Sequence, residues 1–184
     1  MQEGSLLITH WGMSGPAILK LSAWGARILN ELNYSFKIAL NWIPEYNEEQ
    51  LRQEFQQLRQ LNASKLIHSS RIFNLPKRLV EYFYTKAEIP ESCRWADLPK
   101  KNANVLINIL INDEYKVNGR TTFKEEFVTS GGINLNEVDF KTMQSTKCSN
   151  LYFAGEVLDV DGVTGGFNFQ SAWTTGWIAA QSMG

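Results

Sequence analysis

The spacing of apolar and polar positions predicts a chain that mixes helices with short strands. Where apolar residues recur every three or four positions, one face of a helix is expected to be buried. This spacing predicts helices over residues 16–30, 48–61, 95–111 and 168–183, and a further helix that begins near Leu75 and Pro76. Ser14 is the expected N-cap of the first helix, and Trp173 and Trp177 of the last are expected to be core residues.

Alternating or short continuous apolar runs predict the strands. These runs cover residues 5–9, 34–42 and 150–155. Asn118 and Gly119 form a strong hairpin-turn signal, so we expect a strand over residues 115–120 to pair with one over residues 121–129. The first strand has no clear partner nearby, which suggests that the chain continues a longer protein.

The composition excludes several classes of function. The formal net charge of -1 provides no general attraction to nucleic acid or to anionic lipid, so neither is expected as a partner. No apolar run approaches the ~20 residues that a membrane span needs. The two cysteines, Cys93 and Cys148, and the two histidines have no zinc-site spacing, so no metal is expected. Reduced thiols and a cytoplasmic location are the expectation.

The last third of the chain carries a pattern typical of a cofactor site. A short apolar strand ends at Gly155, Glu156 follows it, and a loop then leads through Gly165 and Gly166 into the final helix. Ligands of open α/β sheets bind at strand ends, and the N-terminus of a helix attracts negative charge. Glu156 alone could be a surface acid, and the glycine pair alone could be a plain loop. Together and in this order they favour a cofactor site.

Three sequence motifs resemble segments of a known family. They read LLITHWGMSGPAILKLS (residues 6–22), FVTSGGINLNEVDFKTMQS (127–145) and NLYFAGEVLDVDGVTGGFNFQSAWTTGWIAA (150–180). In this order they resemble the YhiN/BaiN-like FAD-dependent oxidoreductases. The resemblance implies an α+β or α/β fragment in which residues 1–127 form an insert domain, with a small β-barrel and a helical portion. Residues 128–184 would then be the C-terminal strand, loop and helix of a Rossmann-like FAD-binding domain.

The resemblance also implies roles for individual residues. Glu156 would contact the ribityl or pyrophosphate region of FAD, and His10, with Trp11 and Ser14, would lie on the substrate side. The remaining cofactor-binding positions implied by the motifs are Gly131, Gly132, Gly155, Asp161, Gly165, Gly166, Phe167 and Asn168. His10 could donate a proton during hydride transfer, or it could bond backbone carbonyls and order its turn. Both interpretations stay open.

One part of the family pattern is missing. The chain has no G-x-G-x-x-G loop after a first strand, the motif that holds the pyrophosphate of a dinucleotide. We therefore expect a C-terminal piece of a flavoenzyme, whose missing N-terminal Rossmann half is supplied in cis or in trans. The isolated chain is expected to be inactive and empty of FAD, with a poorly ordered loop over residues 164–168. The whole enzyme would use NAD(P)H to reduce a small molecule such as a hydrophobic enone.

A second function is possible for the helical middle of the chain. Its basic residues could form an interaction module for a protein or for nucleic acid, although such a charge run is usually a solvated face. These residues are Arg71, Lys77, Arg78, Lys100 and Lys101.

Overall fold

The computed structural model describes residues 1–120, 128–162 and 166–184. The chain divides into two compact units, each of which is described by itself. The first unit joins Met1–Ser35 to Asn118–Gly184, and the second is Phe36–Val117. Helices and short strands alternate, as the mixed α/β pattern of the sequence predicts.

The first unit opens with a hairpin. Strands β1 (Leu7–Ile8) and β2 (Met13–Ser14) pair in antiparallel fashion, with Leu7 opposite Ser14. The first strand therefore has a local partner, and the expectation of a distant one is wrong. Helix α1 (Pro16–Glu31) follows, with Pro16 in its first turn as expected. None of its residues is fully buried within the described part of the chain.

The N-cap of α1 is Gly15 and not Ser14, which lies in β2. The φ angle of Gly15 is +101°, in the left-handed region that favours glycine. A Cβ atom at this position would lie 2.9 Å from the carbonyl oxygen of Ser5. The tight junction between hairpin and helix thus requires glycine and leaves no room for a capping side chain.

The rest of the first unit forms a small core under helix α5 (Phe167–Ser182). Strands β5 (Val138–Asp139) and β6 (Gln144–Ser145) pair in antiparallel fashion, and 3₁₀ turns cover Leu135–Glu137 and Gly155–Val157. The fully buried core residues are Val138, Met143, Leu158 and Ala179. The predicted strand over residues 150–155 is reduced to a single bridge between Tyr152 and Gln144. Asn150 has a φ of 62°, outside the extended region, and a 3₁₀ turn begins at Gly155, so neither end of the predicted segment is extended.

Trp173 and Trp177 are not core residues, contrary to the prediction. Both are largely exposed, whereas Thr175 and Ala179 of the same helix are buried. The reason is that α5 is apolar around most of its circumference, and the face carrying its small residues packs on the core. Apolar spacing alone does not decide which of two apolar faces is buried.

The second unit has a larger core, built by three helices and the segments that connect them. The helices are α2 (Glu48–Leu61), α3 (Lys77–Lys86) and α4 (Lys100–Ile111), and a 3₁₀ turn covers Ile67–Ser69. Strands β3 (Ser35–Leu40) and β4 (Asp113–Asn118) pair with each other. The largest fully buried side chains are Trp95, Tyr84, Phe83, Ile43, Leu51, Ile67, Ile72, Leu98, Leu106 and Leu110.

Local sequence signals set the helix ends of the second unit. A capping box starts α2. The side chain of Asn47 accepts a hydrogen bond from the backbone N–H of Gln50, and the side chain of Gln50 accepts one from the backbone N–H of Asn47. Pro99 caps α4, so this helix begins five residues later than the predicted start at residue 95. The predicted hairpin partner of β4 lies mostly at residues 121–127, outside the described residues.

Among the described residues the strands pair two by two, and no sheet formed by them closes into the implied β-barrel. No helix in this part of the chain is both long enough and apolar enough to cross a membrane.

Candidate functional site

Two glycine-bearing segments meet in the C-terminal part of the first unit. The backbone N–H of Ile133 donates to the carbonyl of Val157 at 2.8 Å, and the N–H of Asp159 donates to the carbonyl of Ile133 at 3.2 Å. Ile133 and Leu158 form a parallel bridge. The structure thus brings Gly131 and Gly132 beside the turn that follows Gly155, as the sequence motifs imply.

Gly132 is required by this meeting of the two segments. A Cβ atom on Gly132 would lie 2.5 Å from the carbonyl carbon of Leu158 and 2.6 Å from the nitrogen of Asp159. Gly131 differs, because its φ is +108° and a Cβ atom there would meet nothing within 4 Å. Gly132 is therefore needed for the close packing of the two backbone segments, whereas the backbone at Gly131 has open space beside it.

Glu156 lies in the 3₁₀ turn and is exposed. Its Oε1 atom accepts from the backbone N–H of Thr129 at 3.3 Å. A carboxylate has further acceptor positions, so this contact leaves Glu156 able to accept bonds from hydroxyl groups of a ligand.

Thr175 anchors the turn to α5, and the sequence analysis did not single it out. The N–H of Gly155 donates to Oγ1 of Thr175 at 3.0 Å, and this hydroxyl donates to the carbonyl of Ser171 at 2.7 Å. Thr175 is one of the few buried polar residues among those described. In the sequence, Thr175 is marked only by its hydroxyl group, which lies on the same face of α5 as the small residue Ala179.

The N-terminus of α5 faces the end of the loop. Gly166 is the N-cap in the left-handed conformation, with φ of 100°, and a Cβ atom there would meet nothing within 4 Å. Phe167 is exposed and begins the helix. The first N–H groups of a helix have no partners within the helix, and the first turn of α5 contains no acidic residue to offset its positive end. Gly165 lies outside the described residues.

The side chain of Asn168 clamps the loop. Its Oδ1 accepts from the N–H of Gly162 at 2.7 Å, and its Nδ2 donates to the carbonyl of Gly162 at 3.2 Å. The amide is thus engaged by backbone on both sides, so its observed role is to tie the loop to α5.

A salt bridge that the sequence analysis missed connects the same loop to α1. Nη2 of Arg27 lies 2.8 Å from Oδ1 and 2.6 Å from Oδ2 of Asp159. The hydrogen bond and the charge of Asp159 raise the pKa of Arg27, and Asp161 adds a smaller electrostatic contribution in the same direction. Asp161 itself is exposed. Nothing in the spacing of residues 27 and 159 indicates this pair.

His10 lies at the tip of the first hairpin. The N–H of Thr9 donates to the carbonyl of Gly12 at 2.8 Å, which closes the turn. The imidazole is exposed and makes an edge-to-face contact with the ring of Trp11, with centroids 4.2 Å apart. Within the part of the chain that the structure describes, no hydrogen bond connects His10 to the candidate site in residues 128–162 and 166–184.

The second unit has a polar centre of its own, at the buried side chain of Asp113. Its carboxylate is 1% exposed and accepts from Lys86, from Nε1 of Trp42 at 3.1 Å and from the hydroxyl of Tyr115 at 2.6 Å. Burial lowers the pKa of Lys86, but the hydrogen bond to Asp113, the charge of Asp113 and the neighbouring Tyr82 together outweigh it, so the pKa is raised. Burial and the bond to Asp113 also raise the pKa of Tyr115. This centre is fully paired, which is typical of a structural role.

In the described ranges, the histidines, cysteines and carboxylates form no cluster that could hold a metal ion. The groups that the site presents are the N-terminus of α5, the open glycines Gly131 and Gly166 and the carboxylate of Glu156. These groups can bind a flat, hydroxyl-bearing and partly anionic molecule.

Comparison with known proteins gives the family. The family described as "HI0933-like protein barrel and H2TH domain" matches residues 1–128. A ribosomal RNA dihydrouridine synthase of Escherichia coli (strain K12) is 34% identical over 179 residues, which are 97% of this chain and 42% of that protein. The protein of the same name from Haemophilus influenzae is 33% identical over 178 residues, again 97% of this chain and 42% of that protein.

A third relative has a different name. A 3-dehydro-bile acid delta(4,6)-reductase of Clostridium scindens is 29% identical over an alignment of 187 positions, which covers 97% of this chain and 44% of that protein. The chain thus spans less than half the length of these curated relatives. These matches confirm the resemblance seen in the three motifs, and the chain belongs to the family of HI0933-like proteins.

Proposed function

We propose that this chain supplies the flavin-facing part of an FAD-dependent reductase. Residues 128–184 would complete an FAD-binding domain whose pyrophosphate loop lies in a Rossmann half outside this sequence, in the same polypeptide or in a partner chain. Residues 1–127 would form the insert on the substrate side. The observation that carries the proposal is the N-terminus of α5, where a Cβ atom on Gly166 would meet nothing within 4 Å and the first backbone N–H groups have no partner within the helix.

The described residues fit a flavin at this place. Gly131 and Gly166 both have positive φ angles and open space where a side chain would stand, so a flat ring can approach the backbone. The positive end of α5 would stabilise negative charge on the N1–C2=O edge of a reduced flavin. Glu156 would accept bonds from ribityl hydroxyls. Asn168 is already bonded to Gly162, so we propose that it supports the loop while the helix N–H groups contact the ring.

Bound FAD supplies hydride transfer between NAD(P)H and the substrate. The names of the relatives suggest what that substrate would be. A dihydrouridine synthase and a delta(4,6)-reductase both remove a carbon–carbon double bond. In uridine, and in a 3-keto steroid with double bonds at positions 4 and 6, that bond is conjugated to a carbonyl. We propose such an activated double bond as the target, with NAD(P)H and one proton consumed for each bond reduced.

Although the net charge of -1 predicts no general attraction to nucleic acid, uridine in ribosomal RNA is the substrate that the relatives favour. The two relatives named for that activity are 34% and 33% identical to the chain, against 29% for the bile-acid reductase. The enone of a hydrophobic small molecule is the competing candidate. Both require the same flavin chemistry and differ in the substrate pocket and in the groups that hold the rest of the substrate.

The test is to join this chain to the part of the Escherichia coli relative that it does not match, and to purify the product. We expect flavin absorbance and NADPH oxidation that depends on unmodified ribosomal RNA, with dihydrouridine detected by mass spectrometry. The variant Gly166→Val should lose flavin because valine is strained at a φ of 100°. Gly12→Ala, which adds a methyl group to open space, is the matched control. A folded but colourless protein that FAD does not reconstitute would refute the proposal.

His10 is proposed as the proton donor on the substrate side. Its exposed position at a hairpin tip would allow it to reach a substrate held against the flavin. The variant His10→Asn should lower kcat while leaving the flavin spectrum intact. An unchanged kcat would assign His10 to the turn alone.

A second candidate function is RNA binding by the helices of the second unit. Helices α3 and α4 each begin with a proline followed by two exposed basic residues, in first turns that contain no acidic residue. Basic residues are unfavourable at this end of a helix, because they face its positive dipole. Phosphate groups would relieve that repulsion. The test is binding of ribosomal RNA fragments at several salt concentrations, where Lys100→Gln/Lys101→Gln should reduce the salt slope by about 2.

A further inference from the structure

Helix α5 has a stripe of aromatic residues on the side away from its buried residues. Phe169, Trp173 and Trp177 follow one another at intervals of four and are 73%, 74% and 66% exposed. Thr175 and Ala179, on the opposite side, are buried. A helix that is apolar on both faces is typical of a position between two layers of a larger protein.

Gly176 gives an independent indication on the same helix. Glycine inside a helix is destabilising relative to alanine, so a packing reason is expected for it. A Cβ atom on Gly176 would nevertheless meet no atom within 4 Å in the described part of the chain. An open groove beside it is lined by Gln170, Trp173, Thr174 and Trp177. The missing side chain leaves room for another backbone to approach the groove.

The chemistry of α5 limits what can cover it. The segment Phe167–Ser182 contains no Asp, Glu, Lys or Arg. Nucleic acid is a poor fit, since binding of its phosphates depends on cations. The three aromatic side chains present roughly 400 Å² of surface, a large patch for a monomer and about half of what one partner contributes to a standard stable interface. An apolar protein surface that continues beyond the stripe is the matching occupant.

We propose that Phe169, Trp173, Gly176 and Trp177, here called the aromatic face of α5, form the docking surface for the dinucleotide-binding half of the flavoprotein. This rests on the proposed function, which identifies the missing half. The chain spans 42% of the Escherichia coli relative, so more than half of such a protein remains to pack against it.

The test compares side-chain exposure in two proteins by hydroxyl-radical labelling. One is the 184-residue chain, and the other is the fusion of this chain to the unmatched part of the Escherichia coli relative. We expect Trp173 and Trp177 to be labelled readily in the chain and severalfold less in the fusion. Tyr82, an exposed residue of the other unit, serves as the control and should be labelled equally in both.

Two results would overturn the proposal. One is equal labelling of both tryptophans in a fusion that is folded by circular dichroism. The other is protection of both tryptophans in the chain alone at concentrations where sedimentation shows a dimer, which would assign the aromatic face to a second copy. Flavin absorbance of the fusion separates this question from the proposed function. A colourless fusion with protected tryptophans supports the docking surface and refutes flavin binding, and a yellow fusion with labelled tryptophans does the reverse.

A variant provides the second measurement. The chain and the unmatched part of the relative are co-expressed as separate polypeptides, and their co-purification is measured. Trp173→Ser/Trp177→Ser should reduce co-purification by at least tenfold while leaving the circular dichroism spectrum of the chain unchanged, because both residues are exposed in the chain. Leu61→Ser, at an equally exposed leucine of α2, should have no effect. Undiminished co-purification of the double variant would contradict the docking surface.

Discussion

The replacement of Gly132 by alanine is the sharpest test of how the glycine-bearing segments are held together. The new methyl group would lie 2.5 Å from the carbonyl carbon of Leu158, 2.6 Å from the nitrogen of Asp159 and 2.7 Å from the carbonyl oxygen of Val157. All three are backbone atoms, so no rotation of a side chain can relieve the contact. The two segments have to separate.

The size of the effect follows from what that separation breaks. Two backbone hydrogen bonds connect Ile133 to residues 157 and 159, and each contributes about 1 kcal/mol net. Overpacking adds roughly 1–3 kcal/mol. A local destabilisation of about 3 kcal/mol accelerates exchange of the amides of Ile133 and Asp159 by roughly 100-fold, at 1.4 kcal/mol for each factor of ten.

The assay is amide hydrogen exchange followed residue by residue. Gly12→Ala is the matched control, because its methyl group meets nothing within 4 Å and its φ lies outside the left-handed region. We expect fast exchange at Ile133 and Asp159 in Gly132→Ala alone. Exchange at both amides that stays within threefold of the unsubstituted chain would refute the account of Gly132 as a steric requirement. The same variant in the flavin-binding fusion should also lower FAD content, because Gly131 moves with its neighbour.

Three further outcomes are expected. Thr175→Val removes the acceptor for the N–H of Gly155 and should destabilise the first unit by about 1–3 kcal/mol. Thermal melting measures this effect. Thr174→Val, at an exposed position of the same helix, is the control and should be nearly neutral. Lys86→Met leaves the buried carboxylate of Asp113 without its counter-ion. Loss of one partner of a buried pair typically costs roughly 3–5 kcal/mol. Because the side chain of Lys86 is partly exposed, the free energy of unfolding in urea should fall by about 3 kcal/mol, at the low end of that range. Because the pKa of Lys86 is raised from 10.5 in the folded state, its stabilising effect is complete below that value and is lost as pH rises through the higher folded pKa. The urea midpoint should therefore fall above about pH 10.5, and Lys86→Met should fall less steeply; equal slopes would contradict the pairing.

The sequence predicted local elements well wherever a single apolar face and strong end signals coincide. Helix α2 has the predicted bounds, because its apolar stripe is narrow and a capping box starts it. The start of α4 was misplaced because Trp95 and Leu98 are buried in the segment before Pro99 and continue the apolar spacing of the helix. Periodicity registers burial, and it does not distinguish a helix from a packed loop that precedes it.

The motifs placed Gly131, Gly132 and Glu156 in one cofactor site, which stays a prediction. The structure shows that the two segments carrying these residues lie beside each other. The motifs could not distinguish Gly131, which has open space beside it, from Gly132, which is sterically required. That distinction depends on which backbone atoms pack against each glycine in the fold. The salt bridge between Arg27 and Asp159 was beyond prediction for a similar reason, since it connects residues 132 positions apart.

The buried carboxylate of Asp113 also determines strand register. Side chains along β4 alternate between its two faces, so a shift of one residue against β3 would turn Asp113 outward and Glu114 inward. The donors Trp42, Lys86 and Tyr115 come from three separate segments of the chain and converge on the carboxylate of one residue. The longer side chain of Glu114 would present its charge at a different height and leave these donors unmatched. The polar centre thus selects one strand pairing among the possible ones, and with it the position at which the chain leaves the second unit.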